Sequence, residues 1–184
     1  QQLSAAHAAI ARGAWAEAEQ RLVALINAHR GDRDALEGLA SLYMKTGRLQ
    51  PAEAVLQNLA ALWPEHPGYR LDLAALLERN GKGQAAAATY VEIIRAQPTL
   101  AVARFNFACF LRRIGQPEAA LREHQMALEL KIAQPEEVLS NMAVINSDLR
   151  RDEAARELLE RAIQPQPQLH PRAVQPGPAA RGVR

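Results

Sequence analysis

Glycines stand at positions 13, 47, 81 and 115, each 34 residues beyond the one before. A period of this length leaves few folds open, because a unit so short cannot bury its own apolar face and must stack on its neighbours. Alanine keeps the same register. Seven residues before each glycine stand Ala6, Ala40, Ala74 and Ala108, and five after it stand Ala18, Ala52, Ala86 and Ala120. A fifth copy places Arg150 where the glycine would be, after one extra residue within LELKIAQPE, and its alanines are Ala143 and Ala155. Two helices approach within about 8 to 10 Å only where small side chains face each other. The ten alanines therefore predict one helical hairpin per unit, closed on a pair of small residues.

Larger residues complete each helical stripe. Leu39, Leu73, Phe107 and Met142 lie one residue before the first alanine, and Leu22, Leu56, Tyr90, His124 and Leu159 four after the second. Spacings of three and four keep them on one helical face. Glycine between the helices adopts the left-handed conformation that ends the first of them without strain. Arg150 in that place predicts a less relaxed turn, and a last hairpin that ends differently. Pro64, Pro98 and Pro167 are placed to stop the second helices. His124, on the second-helix stripe, is expected to be a packed and hydrogen-bonded imidazole.

These residues resemble the tetratricopeptide repeat, whose helix-turn-helix unit has this length, a turn glycine, small residues at two close contacts and a closing proline. The resemblance covers residues 1 to about 167. It implies an all-α, right-handed superhelical solenoid of five hairpins, at about 1–32, 33–66, 67–100, 101–135 and 136–167. Helical packing is expected through residue 163. From 164 to 184 the chain carries five prolines, Arg172, Arg181, Arg184 and no acid, which predicts an extended or disordered tail. No Trp opens any first helix, and of the family's tyrosine only Tyr43 remains.

The formal net charge of +2 belongs to that tail. Removing its three arginines leaves 19 basic groups against 20 acidic in residues 1–163. A near-neutral body argues against a nucleic-acid surface, which needs a basic stripe on the folded part. No apolar run approaches the roughly 18 residues of a membrane span, no secretion signal opens the sequence, and Cys109 is the single cysteine. A soluble cytoplasmic protein is the expectation. The histidines His7, His29, His66, His124 and His170 are never at metal-ligand spacing, so neither metal, cofactor nor catalysis is expected.

The resemblance implies a concave inner wall made by the first helix of each pair. By register the inward residues are Glu37, Gly38, Ser41 and Lys45, then Leu71, Asp72, Ala75 and Arg79. Phe105, Asn106, Cys109 and Arg113 follow, and Ser140, Asn141, Val144 and Asp148 end the series. Asp72, Asn106 and Asn141 are equivalent. A carboxamide both donates and accepts, so such a row can grip an extended peptide's backbone or bond a neighbouring helix carbonyl. The row is similar to the inner-wall asparagines of O-linked N-acetylglucosamine transferases, which hold substrate chains.

Leu71, Phe105, Cys109 and Val144 form an apolar strip beside the row, with Phe105 either an anchor or part of the core. Cys109 also reads as a small buried filler. Lys45, Arg79 and Arg113 form a basic row fit for an acidic partner, or for the negative ends of their own helices.

The function expected is that of a protein–protein interaction scaffold binding an extended segment of a partner. Two alternatives remain open. The last units, LREHQMALEL and PEEVLSNMAVINSDLRRDEAARELLERAI, also resemble arrays that precede sulfotransferase or glycosyltransferase domains in some bacterial proteins, which implies the arm of a longer enzyme. Solenoids end in a polar capping helix, and none follows Leu158, Leu159 and Ile163, so self-association there, as a homodimer, is the other.

Overall fold

The computed structural model describes residues 2–164 and contains ten α-helices, with no strand among the described residues. They run α1 (Gln2–Ala11), α2 (Trp15–Ala28), α3 (Arg33–Lys45), α4 (Leu49–Leu62), α5 (Pro67–Arg79), α6 (Gly83–Ala96), α7 (Ala101–Arg113), α8 (Pro117–Glu129), α9 (Pro135–Asp148) and α10 (Asp152–Ile163). Each odd-numbered helix packs against the even-numbered helix after it, and each even one against the next odd one. The result is a solenoid of five hairpins. Residues 165–184, with Pro167 and the expected tail, lie outside the described residues.

All ten register alanines are buried, none more than 7% exposed. Their small size lets α1 lie on α2, α3 on α4, and so on through α9 and α10. Leu22, Leu56, Tyr90 and His124 are buried beside them. Leu159, their equivalent in the fifth unit, is 46% exposed because none of the described helices stacks on the outer side of α10. Leu39 and Met142 are buried, whereas Leu73 and Phe107 are half-buried and close the seams between units.

The hairpin turns are uniform. Gly13, Gly47, Gly81 and Gly115 have φ between +72° and +76°, and Arg150 takes the same conformation at +60°. In all five turns the amide after the marker donates to the carbonyl five residues back, as Arg48 to Tyr43 at 2.9 Å and Arg151 to Asn146 at 2.8 Å. That bond satisfies an orphan carbonyl at the helix end. The expectation of a different last hairpin is therefore corrected: Arg150 accepts the left-handed strain and the turn survives. The extra residue of the fifth unit falls at the junction before it. There α8 stops at Glu129, Lys131 turns left-handed at φ +57°, and α9 has 14 residues where α3, α5 and α7 have 13.

Ion pairs repeat with the units. Arg48, Lys82 and Arg151 each follow a turn marker and reach back to the preceding second helix, to Glu19 at 2.6 Å, Glu53 at 2.8 Å and Glu118 at 2.6 Å. Their cationic partners are about half exposed, so each pair contributes only about 0 to 1 kcal/mol, and the buried apolar seam carries the stacking. The core sits along that seam in three clusters rather than one ball. Replacing Ala74 with Leu overfills a closed helix contact and is expected to lower unfolding free energy by about 1 to 3 kcal/mol. Chemical denaturation checks this; an unchanged midpoint would mean the contact is loose.

Candidate functional site

The odd-numbered helices line the inner wall. Along it α1 touches α3, α5 touches α7 and α7 touches α9. This places the register residues on one concave surface, though not with equal access.

Asn106 is half-buried, and no protein group hydrogen-bonds its amide among the described residues. With Phe105 and Val102 of α7 it lines a hollow of about 350 Å³, whose other wall is Ile132 and Glu137. Asn141 is half-buried one unit further on, where its Nδ2 has only the weak acceptor Cys109 Sγ at 4.0 Å. Neither amide is consumed by a helix carbonyl. Asp72 is exposed, yet the flanking helices strip part of its hydration and raise its carboxyl above the ordinary range, an effect partly offset by His66. In the first of these rows Gly38 is buried instead. A Cβ there would stand 3.0 Å from Leu22 Cδ2, so the position that bears a polar side chain elsewhere is a helix contact in this unit.

The apolar strip is uneven. Val144 is 45% exposed, Leu71 is half-buried, and Phe105 rests on His124 with ring centroids 5.5 Å apart while leaving one edge at the hollow. Cys109 is a half-buried free thiol whose pKa is raised, chiefly by burial. In the basic row Arg113 makes a two-pronged pair with Glu78 of α5, through Nε to Oε1 and through its second amino group to Oε2 at 2.7 Å. Arg113 is thus engaged in joining two units. Lys45 and Arg79 are exposed, and no carboxylate of the described residues lies within 4.0 Å of either.

One cluster escaped the register reading. Arg33 of α3 donates to Tyr69 Oη at 2.5 Å and to Glu37 at 3.0 Å, while the Tyr69 hydroxyl donates to Glu37. The guanidinium also lies over Trp63 and Tyr69, 5.7 and 5.3 Å from the ring centres, and His66 packs on Tyr69 at 4.5 Å. Together these groups hold the start of α5 against the start of α3. The sequence signal was present in WPEHPGY, five ring-bearing residues crowded into the junction.

Stacked helical hairpins with a polar and apolar inner wall define a class of repeat scaffold whose groove is its exposed working surface. The unit is built like the tetratricopeptide repeat, with its helical hairpin, turn glycine and paired small residues. Residues 9–61 match the tetratricopeptide repeat family. Among curated proteins, the TPR repeat-containing thioredoxin TTL4 of Arabidopsis thaliana is 28% identical over 95 residues, which are 52% of this chain and 14% of that protein. The chain therefore spans about a seventh of the relative it matches. Among solved structures, MamA (residues 41 to the end) from Desulfovibrio magneticus RS-1 superposes with a TM-score of 0.70 at 18% identity, over 88% of this chain and 90% of that one. MamA AMB-1 gives a TM-score of 0.61 at 22% identity, over 88% and 85%. No helix among the described residues is long and apolar enough to cross a membrane.

His124 departs from its expected role. It is fully buried, but neither ring nitrogen has a hydrogen-bond partner, so burial, aided by the nearby charge of Arg112, pushes its pKa down to about 4. Well above pH 6.5 the ring is neutral both folded and unfolded, and its protonation adds no pH dependence to stability. As pH falls from 6.5 to about 4, the unfolded chain takes a proton that the folded chain refuses, and stability drops by roughly 2 to 3 kcal/mol across that window. His124→Leu, which restores the residue found at positions 22 and 56, is expected to remove this slope and to raise stability at pH 7 by about 1 kcal/mol or more. Thermal denaturation from pH 7 to pH 4 checks it. Parallel profiles for the two proteins would show that the imidazole finds a partner in solution.

Proposed function

We propose that the chain is a non-enzymatic binding module that holds an extended segment of another protein in its concave groove. Asn106 and Asn141 grip the backbone of the segment, and the free edge of Phe105 anchors a side chain between α7 and α9. The observation that carries this reading is Asn106: a half-buried amide without a protein partner, at the mouth of a hollow of about 350 Å³ walled by Phe105, Val102 and Ile132. An amide so placed is left for a ligand, and its donor and acceptor match one peptide unit whatever the side chains. Leu71 and Val144 extend the apolar strip on either side, and Lys45 and Arg79 offer charge to acidic residues of the same partner.

A second reading is self-association through α10. Leu159 and Ile163 are 46% and 80% exposed, an apolar edge that a second copy would cover. Light scattering separates the two readings, because a strict monomer at high concentration excludes the second.

The test of the groove is capture from a native lysate by the wild type beside an Asn106→Ala, Asn141→Ala double variant, followed by hydrogen exchange on the recovered complex. The variant is expected to lose about tenfold or more of the captured partner, corresponding to two hydrogen bonds, and the wild-type complex to gain protection in α7 and α9. Equal recovery by both proteins would refute the amide grip.

A further inference from the structure

The inner wall parts between α3 and α5. No Cα of α3 lies within 8 Å of one in α5, whereas every other consecutive pair of inner helices touches. At the Trp63–Tyr69 junction, ring side chains and the bonds of Tyr69 with Arg33 and Glu37 bridge the two helices at one end. Through the opening α4 becomes the floor of a hollow of about 310 Å³, at the small end of the range for ligand sites. Leu56, Leu59 and Ala40 lie at its bottom, almost fully covered, and half-buried Met44 gives it an apolar wall.

Two carboxylates stand at the mouth, and they are not equivalent. Glu37 is already met by the Tyr69 hydroxyl and by Arg33. Asp72, on the opposite wall, accepts no hydrogen bond from the described residues and has no cation within 4.0 Å, with only His66 offering a distant attraction. Arg33 cannot swing across to it without leaving the faces of Trp63 and Tyr69. An apolar side chain filling the hollow would strip water from an unpaired carboxylate, and an acidic one would be repelled. A long aliphatic stem that ends in a positive charge meets both demands, since such side chains lay their methylenes on apolar surface and keep the head at the polar rim.

We infer that this hollow takes a lysine or arginine side chain of the bound segment, its stem against Met44 and its charged head on Asp72. The inference rests on the groove reading and adds a specificity to it. Asp72 then selects by charge, while Asn106 and Asn141 hold backbone further along the wall.

The test uses the full chain with ¹³C-labelled methionine methyls and two 12-residue Ser/Ala peptides, one with a central lysine and one with norleucine there. Met44 reports on the hollow, and Met126 and Met142 serve as internal controls. The lysine peptide is expected to shift Met44 with a Kd about tenfold or more below that of the norleucine peptide. Asp72→Asn is expected to abolish the preference while leaving norleucine binding intact, which also shows that the variant is folded. Equal affinities of the two peptides for the wild type, or a Met44 signal unmoved by the lysine peptide, overturn the inference. The Asn106→Ala, Asn141→Ala variant separates it from the groove reading. A lysine preference that persists there with undiminished affinity sinks the amide grip alone, and weakened binding of both peptides without any preference sinks the basic pocket alone.

Discussion

Close approach of two helices on small side chains is the constraint from which the remaining structure follows. With alanine on both sides, each hairpin closes tightly enough that its larger residues are turned outward to the seams, where they meet the next unit. Leu22, Leu56 and Tyr90 are buried there. The solenoid has no single central core, so its stability is a sum of neighbour contacts, and the three apolar clusters are the structural expression of that sum. Leaving one side of the first helices outside these seams is what creates the groove.

The groove's chemistry is set by what the seams leave over. Where inner helices touch, as at α7 and α9, the wall offers half-buried amides and an aromatic edge. Where they part, at α3 and α5, a hollow walled by Met44 opens beside the unpaired carboxylate of Asp72. On the proposed reading, backbone recognition and side-chain recognition fall on different units of one surface, a division that suits an extended ligand running along the axis of the array. The basic ends of the first helices join in only partly, because Arg113 is spent on Glu78.

Much of this was legible in the sequence, and what was not has a common cause. The alanine register, the turn glycines and the helix-ending prolines at 64 and 98 are local or within one hairpin, and the structure keeps all of them. Even Arg150 obeys, at φ +60°. The missed features depend on how one unit sits on the next. Gly38 is buried because α3 lies close on Leu22, and His124 is sealed from water with neither ring nitrogen paired. The rings of Trp63, His66 and Tyr69 meet at a junction whose packing no periodicity encodes, where α3 and α5 part. One inter-unit signal was readable: opposite charges 29 residues apart, Glu19 with Arg48 and Glu53 with Lys82, stand at two successive junctions and pair in space.

The nested hairpins depend on the alanine contacts, and methyl NMR reads them directly. In a sample with only alanine methyls labelled, cross-relaxation is expected within each hairpin, linking Ala6 to Ala18, Ala40 to Ala52, Ala74 to Ala86, Ala108 to Ala120 and Ala143 to Ala155. Five such links describe helices closed on their small residues and a groove left open beside them. Alanine methyls that show no mutual transfer and relax instead through solvent would contradict the nested hairpins, and with them the groove.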